Sequence, residues 1–312
     1  MENDQIPRDA TTYAALSWAL EKAGEGEIAL HILDLMKQDG IEMNIPTYNG
    51  ALWSCVKANM VHEAIDVFEE MKSSSQAGVK PDVESYNAVI WACERGQLGE
   101  KAVEYLREMK MKDLARNTKS YDGALFALQK TGQWEKCVEV SRWMGLEGVK
   151  KEKSTYIALL TALDEADRPD ELREVYNDAM RDGFFTPWYG SSRTMDLREF
   201  PLSLAKIAIQ YVLNQMKDGQ LALFNLNIII DTLLSDNHNN HNNHNINHRD
   251  DHNSIGSHIN KEDSQDLQQY ILSIDPLHLS VTEVVDEEEN LVKLSIPRDA
   301  LVKWLRSINI HP

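Results

Sequence analysis

Only three cysteines occur in 312 residues, at positions 55, 93 and 137. They lie 38 and 44 residues apart, which excludes a disulfide framework and any C-x-x-C metal spacing. Such a chain reads as intracellular and reduced. No run approaches eighteen uninterrupted apolar residues, and the longest apolar passage, 221–230, is broken by Asn225 and Asn227. No transmembrane helix is expected. Basic residues are outnumbered, 32 Lys and Arg against 50 Asp and Glu, for a net charge of −18. That excludes binding carried by a broad positive field, such as non-specific duplex binding or docking to an anionic membrane. A narrow basic stripe inside an acidic shell stays compatible with it. The first nine residues hold neither the apolar core of a secretory signal nor the Arg/Ser-rich, acid-poor character of a transit peptide.

What the chain does have is a period. Aligning on tyrosine gives Thr12-Tyr13-Ala14, Thr47-Tyr48-Asn49, Ser85-Tyr86-Asn87, Ser120-Tyr121-Asp122 and Thr155-Tyr156-Ile157, at intervals of 35, 38, 35 and 35 residues. The long interval contains the small polar run Ser73-Ser-Ser-Gln-Ala77, which reads as a loop insertion. Met36, Met71, Met109 and Met144 each follow their tyrosine by 23 residues, with Met180 one residue late. Ala29, Ala64 and Ala102 share a slot that Cys137 and Leu172 fill later.

Within each unit the apolar spacing is helical, as in Val61, Ala64, Ile65, Val67, Phe68 and Met71. One turn zone splits the unit, such as Glu94-Arg-Gly-Gln97, and a second ends it, such as Gly78-Val-Lys-Pro-Asp82, where Gly stops a helix and Pro prevents its continuation. Each unit is therefore a helical hairpin unable to bury its apolar face alone, and five of them stack as an α-solenoid. The cysteines and methionines fall on apolar faces and are expected to fill the core.

The strings Pro46-Thr-Tyr-Asn49-Gly-Ala-Leu, Glu63-Ala-Ile-Asp-Val-Phe-Glu-Glu-Met71 and Gly78-Val-Lys-Pro-Asp82 resemble the pentatricopeptide repeat (PPR). The resemblance covers 10–187 as units 10–44, 45–82, 83–117, 118–152 and 153–187, with 1–9 as the tail of a preceding repeat. It implies a right-handed solenoid that binds single-stranded RNA at one base per repeat. The implied reading pair is the residue after the tyrosine with the last residue of the unit: Ala14 with Asn44, Asn49 with Asp82, Asn87 with Asn117, Asp122 with Glu152, and Ile157 with Pro187. The second pair resembles the family's uridine pair and the third its pyrimidine pair; the other three are off-pattern. The family's aliphatic base-sandwiching position holds Thr11, Pro46, Glu84, Lys119 and Ser154 here.

One phased slot after the first helix holds Lys22, Lys57, Arg95 and Lys130, then Glu165. A cation once per repeat suits phosphates; it equally suits the negative end of a helix dipole.

Beyond 187 the period stops. A helix over 204–216 capped by Ser203, a strand over 221–230, a strand over 291–297 and a helix over 298–307 suggest a small α/β domain spanning 188–312. Met195-Asp196-Leu197-Arg198 ahead of an amphipathic helix resembles the Leu-Asp-x-His of a small MutS-related (SMR) domain, in degenerate form. Arg198 replaces the histidine and cannot act as a base near neutrality, and the family's Thr-Gly-x-Gly loop is absent. No nuclease activity, cofactor or metal is expected. His238, His241, His244, His248, His252 and His258 sit in an Asn/Asp-rich stretch, 236–266, that reads as a disordered insertion. Asp286 and Glu287 to Glu289 read as a solvated acidic turn. The resemblance places the protein in a chloroplast or mitochondrion. A protein-interaction scaffold is the competing function, suggested by the acidic surface and the off-pattern units, and an SMR-based RNA endonuclease is a third.

Overall fold

The computed structural model describes residues 9–74, 78–185, 194–197, 200, 202–232, 261–274, 282–286 and 291–308. It falls into two compact units, Met1–Ala166 and Asp167–Pro312. The first contains α1 (Ala10–Ala23), α2 (Gly26–Gln38), α3 (Ile45–Lys57), α4 (Val61–Ser73), α5 (Val83–Arg95), α6 (Gly99–Met111), α7 (Thr118–Lys130), α8 (Trp134–Leu146) and α9 (Lys153–Glu165). Helix α10 (Pro169–Arg181), which the period assigns to the fifth repeat, belongs to the second unit.

Each first helix starts at a polar N-cap: the side chains of Asp9, Asn44, Asp82 and Asn117 accept the backbone N–H three residues on. The second helices α2, α4, α6 and α8 start without side-chain caps and rely on packing. Between the two helices one residue turns left-handed at a fixed phase: Gly24, Asn59, Gln97, Gly132 and Asp167. Asn and Asp tolerate that region through their short polar side chains.

The odd-numbered helices of the first unit form one continuous row, α1 on α3, α3 on α5, α5 on α7 and α7 on α9. Each of α2, α4, α6 and α8 packs on its own first helix and on the next. This is the α-solenoid expected from the period. Tyr13, Tyr48, Tyr86, Tyr121 and Tyr156 are all buried, and Met36, Met71, Met109 and Met144 are fully so. In the fifth repeat Ala179 occupies the methionine slot and is fully buried, while Met180 is partly exposed. All three cysteines are free and buried. Burial pushes each thiol up to about 12, so they pack rather than react.

The packing along the row is tight enough to test. A Cβ on Gly50 would lie 2.7 Å from Ser17 Cβ and 2.9 Å from the Ser17 carbonyl carbon. Gly50→Ala therefore forces α1 and α3 apart, and urea unfolding should register a loss of about 1–3 kcal/mol. A neutral or stabilising result would mean that the row is looser than this packing.

The second unit carries β1 (Thr194–Asp196), α11 (Leu202–Lys217), β2 (Leu226–Thr232), α12 (Lys261–Leu272), β3 (Thr282–Asp286), β4 (Leu291–Ile296) and α13 (Arg298–Ile308). The sheet order is β1-β2-β4-β3, with β1 parallel to β2 and the other pairs antiparallel. A β-α-β crossover followed by an antiparallel pair and a final helix makes the small α/β fold. Helix α11 begins at Leu202, which puts Ser203 inside its first turn and not at its cap. Helix α12 begins at Lys261, within the stretch read as disordered to Asp266. Its buried Leu267 and Ile271, four residues apart on one face, give it an anchor. The six histidines at 238–258 and Arg198 lie outside the described residues. Among the described residues no helix is long and apolar enough to cross a membrane, and no cluster of His, Cys, Asp or Glu could hold a metal.

Candidate functional site

The row of first helices brings the paired slots together for a covalent reason. The residue after each tyrosine lies in the opening turn of a first helix, and the last residue of the unit is the N-cap of the next one. Adjacent helices in the row then place the two side by side.

Asn49 and Asp82 are joined directly. Asn49 Nδ2 donates to Asp82 Oδ1 at 3.2 Å, and the Ser85 hydroxyl lies 2.6 Å from Asn49 Oδ1 and 2.9 Å from Asp82 Oδ1. Asp82 Oδ1 also accepts the Ser85 backbone N–H at 2.9 Å. Both side chains are half-buried.

The third pair is not joined. Asn117 is exposed and caps α7, accepting the Ser120 N–H at 3.0 Å. Asn87 is fully buried, with neither Oδ1 nor Nδ2 in a hydrogen bond. In the fourth, Asp122 is buried and accepts from the hydroxyls of Ser154 and, at 2.6 Å, Thr155, while Glu152 stays exposed. Burial raises the Asp122 carboxyl to about 6 against these two hydrogen bonds, with the Glu152 charge adding to the rise. Ala14 is half-buried opposite Asn44, which caps α3 through the Thr47 N–H at 2.9 Å. Ile157 is buried, and Pro187 lies outside the described residues.

The phased cations stand at the far end of the same helices and are threaded with carboxylates. Lys57 Nζ donates to the Glu21 carbonyl at 2.8 Å and sits 3.9 Å from its carboxylate. Lys130 ion-pairs with Glu94, which is fully buried, and Arg95 Nε lies 3.7 Å from the other Glu94 oxygen. Gln129 extends the pattern by donating to both Glu165 oxygens. The steps 21–57, 94–130 and 129–165 each span 36 residues, a rung between neighbouring units. Among the described residues Lys22 makes no ion pair; its ammonium lies 5.5 Å from the Trp18 ring centroid.

Two sets of residues escape a reading that follows identical letters. The carboxylates of Glu21 and Glu94 sit one position before the cation slot. Five residues after each tyrosine stand Trp18, Trp53, Trp91 and Phe126, then Thr161. That aromatic phase was visible in the sequence.

No curated protein sequence matches the chain. Among solved structures it is similar to the pentatricopeptide repeat protein PPR10 from maize, at 25% identity over 59% of this chain and 26% of that one, with a TM-score of 0.45. PPR10 in complex with an 18-nt psaJ RNA element matches at 24% identity over 58% and 26%, TM-score 0.48. The PPR domain of Arabidopsis thaliana protein-only RNase P 1 (PRORP1) in complex with tRNA matches at 21% identity over 57% and 92%, TM-score 0.48. The chain thus spans about a quarter of the maize protein and most of the Arabidopsis domain. The family model of the pentacotripeptide-repeat region of PRORP matches residues 10–182, more than half of the sequence, and the chain belongs to that family.

Proposed function

We propose that the first unit binds single-stranded RNA with base selectivity, in the service of organellar RNA processing, stabilisation or translation. The observation that carries this reading is the Asn49–Asp82 pair. Two short polar side chains from adjacent first helices are held 3.2 Å apart, presenting a donor and an acceptor at the spacing of a base edge at little cost in side-chain entropy. The part played by the second unit is non-catalytic. An SMR-like origin for it leaves Asp196, in β1, without the histidine that the family pairs with it.

The test uses the dual position of Asp82. Asparagine caps helices as well as aspartate, so Asp82→Asn keeps α5 intact and converts the second pair into a copy of the third. Selection from a randomised RNA pool should then show uridine at that position relaxing to C or U. Unchanged base preference would reject base reading by this pair. Lys22, Lys57 and Arg95 changed to Ala should flatten the salt dependence by about 0.7 for each phosphate no longer neutralised, alike for all sequences. The dense pairing of the cations with carboxylates favours one competitor, a protein-interaction scaffold. A native chain that enriches no RNA at low salt would decide for it.

A further inference from the structure

The residues at one, five and nine positions after each tyrosine step by four, so they stack one turn apart on a single helix face. In α1 they are Ala14, Trp18 and Lys22; in α3 Asn49, Trp53 and Lys57; in α5 Asn87, Trp91 and Arg95. Helices α1, α3 and α5 thus each carry a base-reading slot, an aromatic ring and a cation, about 12 Å from end to end at the helical rise.

Two of the three rings are held in place by their N–H. Trp53 Nε1 donates to Glu84 Oε1 at 2.9 Å, and Trp91 Nε1 donates to the Lys119 carbonyl at 3.0 Å. Glu84 and Lys119 are the residues at the base-sandwiching position of the next unit, so each indole is tied to the slot that lacks its aliphatic residue. Trp53 and Trp91 rest partly buried against the core cluster around Cys55 and Ala92. Trp18 is 62% exposed. Cations lie over two of the rings, Lys22 at 5.5 Å from the Trp18 centroid and Lys119 at 4.0 Å from that of Trp53. The column ends at Phe126, which is buried and 6.1 Å from Trp91.

We propose that Trp18, Trp53 and Trp91 form a stacking ladder for the bases of single-stranded RNA, one indole per repeat, taking over the sandwiching that the aliphatic position performs elsewhere in the family. This rests on the RNA-binding reading above. Trp53 and Trp91, tied down by their N–H, lose little freedom on binding, and every base offers a π-face, so the ladder supplies affinity without sequence preference. The reading slot one turn away supplies the preference. Lys119 gives up its place over Trp53 to the incoming base and keeps its ion pair with Glu84, 2.8 Å away.

The full chain is titrated with a uridine-rich single-stranded RNA while indole fluorescence and binding are followed together. Trp18→Ala, at an exposed position that the fold does not need, and Trp53→Ala should each weaken binding about 5- to 100-fold, equally for matched and scrambled sequences. Trp53→Phe keeps a ring but loses the bond to Glu84, and should stay within a few-fold of native. RNA with abasic nucleotides should bind the native and alanine forms alike. Native binding without indole quenching, matched by the alanine variants, overturns the ladder and leaves RNA binding standing. A native chain that binds no RNA overturns both.

Discussion

Replacing Lys130 by alanine is expected to cost the first unit about 3 kcal/mol, more than any other single cation of the phased slot. Glu94 is fully buried in the last turn of α5, and apart from Lys130 and the more distant Arg95 neither of its oxygens has a donor. Removing Lys130 strands a carboxylate in the packed row, which is why the loss should approach the range for broken buried pairs. Arg95 at 3.7 Å holds it to the lower end. Lys57 provides the control, because its side chain is 42% and that of its partner Glu21 23% exposed, so Lys57→Ala should cost about 0–1 kcal/mol. Glu94→Gln added to Lys130→Ala should restore much of the loss by removing the stranded charge. Urea unfolding without RNA measures all three. Equal costs at 57 and 130 would mean that Glu94 is hydrated, and the rung between the third and fourth units would carry no special weight.

Asp122→Asn should act in the opposite direction, stabilising the protein above pH 7 and flattening its acid-side pH profile. The carboxyl titrates at about 6 when folded, against 3.8 for the unperturbed group. The folded chain therefore holds a proton that the unfolded chain has already released between these values. Stability falls as pH rises from about 4 through 6, by at most about 3 kcal/mol for a shift of roughly two units. Asparagine has no charge to bury and can accept from one of the Ser154 and Thr155 hydroxyls while donating to the other. Midpoints of urea unfolding taken across that pH range check it. A native profile that is flat between pH 4 and 7 would show that Asp122 is ionised and solvated, contrary to its burial.

The tyrosine period located all ten helices of the five repeats, because Gly or Pro punctuates most of the breaks and the apolar steps of three and four leave no other element open to them. Asp82 and Asn117 were read only as unit ends, but as short polar residues just ahead of an apolar-periodic run their capping role was also legible. The inter-unit rungs were not. Which lysine meets which carboxylate depends on how far one hairpin rotates on the next, and no periodicity within a unit encodes that. Glu94 shows the limit most plainly, since a charged residue in a polar turn reads as solvent-facing until Lys130 from the next unit is seen to cover it. The aromatic column was legible but hidden by the habit of matching identical letters, as Phe126 and Thr161 break the run of tryptophans. In the second unit, β1, α12 and β3 were missed, and the strand expected over 221–230 lies at Leu226–Thr232. Lys261-Glu-Asp-Ser-Gln-Asp-Leu267 opens with charge and follows a low-complexity stretch, and β3 spans only Thr282–Asp286.

A recognition residue that also starts a helix answers to two masters. In the proposed reading, the second letters of the first four pairs are Asn44, Asp82, Asn117 and Glu152, and the first three are the side chains that close their helices' first turns. An array recoded for a new RNA could exchange Asn, Asp and Ser at these positions with its stability intact. An alanine, valine or lysine there would weaken the helix by about 1 kcal/mol before any base was met. The alphabet with which such a protein spells its target is thus bounded by helix initiation as much as by the chemistry of the bases.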